Sequence, residues 1–331
     1  MGSDSRPLFF STDPWGPAYV WGRSLIGLSN LLTLVFNSNA VLMHSRVDVP
    51  KPPRCSGVDS WAAFCHADVS VVRWVGSAVL LAVVIGYRPR WFALPHAWIA
   101  WTLSTSMSLT EGGDQIASNL ALFMVPIALL DGRKWVWRER VPFGSAERPV
   151  TVWRSIGLAG LLLSVLQGFV LYFDAAISKV LVPEWADGTA TYYWMRDLTF
   201  SPGGFRGDLV RWLTGSRLGV TLVTWGTLAL EFALAAALVA SLRYRRAIFF
   251  IGLLFHMTIA ATYGLVTFMF SAAGQLTLYL HYDKQGDAAD VFYSLKRWMR
   301  RLIATGRRLR ESNAEQSGHL GQPNRSGAAT P

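Results

Sequence analysis

Charge is the scarcest property of this sequence: charged residues make up 16% of its 331 positions, against about 25% in an ordinary soluble domain. Hydrophobic residues make up 52%, and they are gathered into blocks of roughly twenty, the length a helix needs to cross a bilayer core. Amphipathic stripes of period 3.6 are few, which excludes a soluble α/β protein of this size. The expectation is an all-α, polytopic integral membrane protein. Cysteine is also scarce, with two residues, and no Cys-x-x-Cys or His-x-x-x-His spacing joins His44 and His66 to them, so no metal site is expected. A phosphate-cradling loop is missing as well, because Gly203-Gly204 is not followed by Lys-Ser/Thr. No cofactor is therefore assigned. Without an internal repeat or a clearly broken midplane helix, a transporter has little support.

What is present is a set of apolar blocks with basic connectors. Spans are expected at about 19–36, 71–87, 91–109, 115–130, 153–173 and 218–242. The segment 247–280 is too long for one ordinary span, and two short helices turning near Tyr263 and Gly264 are preferred, giving eight spans instead of seven. No small-residue cleavage site follows the first block, so it is read as a retained span. The net charge of +10 is spread over connectors and tail, at Arg88 and Arg90, at Arg133, Lys134, Arg138, Arg140 and Arg148, at Arg243, Arg245 and Arg246, and from Lys296 to Arg310. Eight spans put all of these on one side, so the positive-inside rule predicts a cell-membrane protein with both termini cytoplasmic. The partner of this charge is the lipid bilayer, not nucleic acid. Three regions follow: a cytoplasmic segment at 1–18, a membrane domain at 19–282 and a basic cytoplasmic tail at 283–331. The tail reads either as an amphipathic helix on anionic lipid at 290–310 or as a solvated arm. Tryptophan is abundant, and Trp15, Trp21, Trp74, Trp91, Trp153, Trp185 and Trp212 stand at block ends, where an aromatic belt is expected.

Cys55 and Cys65 both fall in the loop after the first span, outside the cytoplasm. Oxidising conditions permit a disulfide there, and two reduced thiols at the loop base are the other reading. Inside the spans, Glu231 and His256 are the ionisable residues that most need an explanation. A functional site and a structural interhelical contact are both open for them. Arg23 and Arg154 are expected to snorkel from near the inner ends. At the outer end of the fifth span, Tyr172, Asp174, Lys179, Trp185, Gly188 and Tyr192 form a richer cluster. A lysine desolvated there could serve as a base, while an interfacial lysine that only snorkels fits the same sequence.

The run from Gly22 to Asn37, the outer Cys55 and Cys65, Gly112-Gly113-Asp114-Gln115-Ile116, Tyr172-Phe-Asp-Ala-Ala-Ile-Ser-Lys179, Trp185-Ala-Asp-Gly188 and Tyr192-Tyr193-Trp194 together resemble the SdpB family. These are membrane proteins of sporulation-delaying-type antimicrobial peptide systems, and the resemblance covers about 15–285. It implies a part in the maturation of a secreted peptide toxin, with the peptide toxin precursor and a small companion protein as partners. More distantly, the same elements look like the transmembrane (HTTM) domain of vitamin K-dependent γ-carboxylases. That likeness implies a base-using enzyme in which Lys179 is the base, with His256 or Glu231 in support. An immunity protein is a further alternative.

Overall fold

A computed structural model describes residues 13–44, 53, 55–107, 111–139, 152–197 and 201–280. The basic tail, its expected amphipathic helix, and Arg140 and Arg148 lie outside the described residues. Among the described residues the protein is all-helical, with no strand beyond a single bridge between Tyr87 and Trp135. Eight helices of 15 residues or more, counted among the described residues, follow the apolar blocks. We number them α1 (Pro17–Phe36), α2 (Val69–Val84), α3 (Pro89–Ser106), α4 (Gly112–Leu129), α5 (Val152–Val180), α6 (Arg217–Ala236), α7 (Leu242–Tyr263) and α8 (Val266–Leu280).

Local chemistry sets their ends. Pro17 and Pro89 open α1 and α3 at the first helical position, where a missing N–H leaves no bond unmade. A reciprocal capping box opens α4: Glu111 accepts from the third helical N–H, and Asp114 accepts from the Glu111 N–H at 3.1 Å. The apolar run 247–280 is divided as expected. Gly264 takes φ 78° after Tyr263, a left-handed stop that glycine accepts without a Cβ clash.

Among the described residues three helices are long and apolar enough to cross a membrane by length and composition: Val152–Val180, Arg217–Val239 and Arg243–Tyr263. Val69–Val84 and Val266–Leu280 are apolar but shorter. Much of α7 faces outward, with Phe250, Ile251, Leu254 and Met257 exposed. Water would penalise such a surface, and lipid does not. Trp21, Trp74, Trp91, Trp153 and Trp212 are exposed, as a belt requires. Trp15 is not part of it, because its ring is buried and its indole N–H donates to the Ile127 carbonyl at 3.0 Å.

The bundle is organised around its shortest long helix. Every residue of α8 from Ser271 to Leu280 is buried, with α1, α4, α5 and α7 packed around it. Small residues allow the close approach: a Cβ on Gly22 would stand 2.6 Å from Leu278, and one on Gly274 would stand 2.9 Å from Ile26. In a membrane this packing replaces the hydrophobic drive that helices lack in lipid.

Three expectations need correction. The fifth helix does not stop near Phe173 but runs through Asp174 to Val180, because no Gly or Pro interrupts it before Pro183. Lys179 therefore stands on a helix and not in a loop. Arg23 does not snorkel; its side chain is buried, and one guanidinium N–H reaches the Val83 carbonyl at 3.5 Å. Arg245 is likewise buried instead of standing outside as a basic stop. It donates to the Ala237 and Leu238 carbonyls at 3.0 and 2.5 Å, which satisfies the carbonyl end of α6. Before α1, Asp13 accepts the Trp15 N–H at 3.0 Å, and burial holds its carboxyl above the usual range despite nearby Arg154 and Arg133.

Candidate functional site

Lys179 and Tyr172 sit on α5 two turns apart, a spacing of seven that puts both on one face. That face meets α6 and α7. The Lys179 ammonium donates to Glu231 Oε1 at 2.7 Å and Oε2 at 3.0 Å, and to the Ala175 carbonyl at 3.2 Å. Its side chain is 26% exposed, whereas that of Glu231 is 8% exposed, so the pair is reachable from the lysine side only. The Trp185 ring, on the short helix Pro183–Ala186, lies 5.5 Å from the ammonium in a cation–π contact.

One step deeper, the Tyr172 hydroxyl is 3.1 Å from His256 Nε2 on α7. Both side chains are buried. Among the described residues His256 Nδ1 has no hydrogen-bond partner, so the imidazole presents an unsatisfied polar edge inside the bundle. Tyr279 of α8 stacks on Tyr172 with ring centres 6.3 Å apart and donates its hydroxyl to the Leu234 and Ala235 carbonyls on α6. Phe268 closes the other side of His256 at 5.4 Å. Four helices thus converge on two polar pairs, an ion pair and a tyrosine–histidine dyad.

The candidates divide accordingly. Lys179, Glu231, His256 and Trp185 come together, and Gly113 is linked to them through Phe268, whose Cα would stand 2.8 Å from a Cβ at that position. Asp114 is buried in the capping box of α4, where Glu111 also accepts from the Thr267 hydroxyl at 2.5 Å. Gly188 takes φ 84° at a turn against Trp225. Asp174 and Gln115 are exposed and contribute nothing to the pairs. Tyr279 carried no sequence signal, since a tyrosine at the end of an apolar block reads as a belt residue. Tyr172 was legible as a member of the cluster at the outer end of the fifth span. Cys55 and Cys65 are joined by a disulfide in the loop between α1 and α2. Among the described residues no cluster of His, Cys, Asp and Glu could hold a metal ion.

With this geometry in view, comparison with known proteins is informative. The sporulation-delaying protein SdpB of Bacillus subtilis (strain 168) is 33% identical over 275 residues, covering 81% of this chain and 82% of that protein. The chain belongs to the SdpB family. An uncharacterized protein of the same organism, YitO, is 34% identical to this SdpB-family chain over 277 residues, covering 81% of it and 86% of YitO. No family model matches the chain, and no solved structure does. Tyr172 and Lys179 stand on α5, Glu231 on α6 and His256 on α7, so both polar pairs are built by the long helices.

Proposed function

We propose that this SdpB-family protein is a multi-pass component of a sporulation-delaying-type antimicrobial peptide system, and that it acts in maturation of the secreted peptide toxin. It works on a membrane-delivered precursor together with a small companion protein. The observation that carries the reading is the Lys179–Glu231 pair, charged, reachable at one end, and backed by the buried Tyr172–His256 dyad. An ion pair held between helices is costly to keep in a bilayer, and such groups mark functional sites. A peptide carbonyl or carboxylate entering from the Lys179 side could replace Glu231 as acceptor, and Trp185 would cover it with an aromatic face. The Tyr172 hydroxyl and His256 can then accept or supply a proton.

A base-using enzyme of the carboxylase type fits less directly. In the ion pair Lys179 donates to Ala175 and to both oxygens of Glu231, and an ammonium so engaged offers no lone pair to a substrate until it gives up a proton.

In this reading all eight long helices span the cell membrane and both termini are cytoplasmic. The basic residues after α2, after α4 and before α7 then share one side. Reporter fusions after Lys134 and after Arg310 test it, and an extracytoplasmic signal from either would refute the topology. The role is tested by expressing the protein with precursor and companion and measuring active peptide released, normalised to protein in the membrane. Lys179→Arg, Tyr172→Phe and His256→Gln should each lower release at normal membrane levels. Full release from all three would leave the pairs with a packing role only.

A further inference from the structure

Two features of α3 lie along one face of the helix. The first is a cup at its N-terminal end. The connector before α3 and the segment after α4 are zipped together, with Arg88 N–H donating to the Lys134 carbonyl at 2.9 Å and Val136 N–H donating to the Gly86 carbonyl at 3.1 Å. Between them lies a cavity of about 220 Å³ lined by Arg88, Arg90, Trp91, Gly132, Arg133 and Lys134. Asp131 also borders it, but its oxygens are engaged by Arg133 at 2.9 and 2.7 Å. The nearby Glu139 accepts from the N–H groups of Lys134 and Trp135 at 3.0 and 3.1 Å. Arg90 Nε donates to the Leu129 carbonyl at 2.8 Å, and the Arg88 guanidinium lies 5.8 Å from the Tyr87 ring. Among the described residues no carboxylate forms an ion pair with Arg88, Arg90 or Lys134. Arg88 also has φ 36°, the one positive φ outside glycine among the described residues. A strained backbone is thus retained where the basic cup is built.

The second feature is an apolar groove of about 560 Å³ between α2 and α3, bordered by Val72, Val75 and Val79 on one helix and by Leu94, Pro95 and Trp98 on the other. Trp91, Leu94, Pro95 and Trp98 follow the spacing i, i+3, i+4, i+7, so they form one stripe on α3. Trp91, Leu94 and Trp98 are all exposed. Trp91 belongs to the cup and Trp98 to the groove, about 10 Å further along the axis.

We propose that this edge of the bundle binds one anionic phospholipid, with its phosphate in the cup and one acyl chain along the α2–α3 groove. Guanidinium groups and a lysine around a small polar cavity match a phosphate, which accepts bidentate hydrogen bonds. Inorganic phosphate offers the cup the same chemistry. The apolar groove, one turn further along the same stripe of α3, has no use for inorganic phosphate and suits a ligand with a long apolar chain. This lipid site requires the membrane setting and is independent of the toxin role.

The test uses the full chain reconstituted in bilayer discs with phosphatidylglycerol or phosphatidylcholine of identical chains, followed by native mass spectrometry of the released protein. One phosphatidylglycerol should be retained, and phosphatidylcholine should not compete equally. Arg88→Asn, in which asparagine tolerates the positive φ, and Lys134→Gln should each weaken retention about fivefold, the equivalent of about 1 kcal/mol per cation at a membrane surface. Arg243→Gln removes an exposed charge away from the cup and should leave retention unchanged. Val75→Trp fills the groove and should lower lipid retention while leaving any stabilisation by inorganic phosphate intact. Each variant is first matched to the wild type in thermal midpoint in phosphatidylcholine, and the Arg88 and Lys134 variants stand in for one another if one misfolds. Equal retention of the two lipids would overturn the proposal. So would an Arg243→Gln loss as large as that of the cup variants, or stabilisation by inorganic phosphate equal to that by phosphatidylglycerol together with an unaffected Val75→Trp.

Discussion

Replacing Glu231 by leucine removes one half of the ion pair between α5 and α6 and leaves the Lys179 ammonium with the Ala175 carbonyl and the Trp185 ring. At the observed 2.7 Å, an effective dielectric constant of 20 gives a Coulomb attraction of about 6 kcal/mol. Not all of it is lost. Lys179 is a quarter exposed, and its four-carbon stem can swing toward the aqueous side, so solvent recovers part of the energy. Removing one partner from a fully buried pair costs about 3–5 kcal/mol. With one end accessible, Glu231→Leu should cost about 2–3 kcal/mol. Lys179→Met should cost more than Glu231→Leu, because the stranded carboxylate is the deeper group and has no flexible stem. The double variant removes both charges and should recover about half of the summed single losses, giving a coupling of about 3 kcal/mol. Equilibrium unfolding in mixed micelles, on wild type, both single variants and the double variant, measures this cycle. Additive single effects would refute the reasoning and mean that the two side chains do not stabilise the bundle through each other.

Three further outcomes are expected. Gly113→Ala should lower the thermal midpoint, because its Cβ would stand 2.8 Å from the Phe268 backbone; Gly160→Ala should do so too, with the Phe123 carbonyl at 2.4 Å, whereas Gly226→Ala meets open space and should be neutral or better. Asp131→Ala should destabilise by about 3 kcal/mol, since Arg133 would be left buried, and Asp131→Ala combined with Arg133→Met should regain much of that in the same unfolding assay. Reduction of Cys55–Cys65, or Cys55→Ser, should cost about 3 kcal/mol in the chain-entropy model, read as a lower thermal midpoint; an unchanged midpoint would mean that the loop is held by its packing alone.

Composition and spacing by themselves determined the class of this protein and the position of its helices. Runs of twenty apolar residues ended by arginine, proline or glycine have one stable solution in a bilayer, and Gly264 was visible as the break between α7 and α8 because a left-handed residue is needed there. The presence of Glu231, His256 and Lys179 among apolar neighbours was also legible, since such residues are conspicuous on any hydropathy pattern. Their pairing was not. Glu231 is 52 residues from Lys179, and His256 is 84 from Tyr172. Which helix faces which is set by small-residue notches such as Gly22, Gly168 and Gly274, whose partners lie far along the chain. The extension of α5 by two turns, which put Lys179 on a helix face, was by contrast open to the sequence, since no Gly or Pro stands between Phe173 and Pro183. Tertiary packing buried Arg23 against the Val83 carbonyl, 60 residues away, whereas Arg245 found its carbonyls across the short turn between α6 and α7. A sequence states which groups must find partners in lipid, and only the packed helices decide which partners they find.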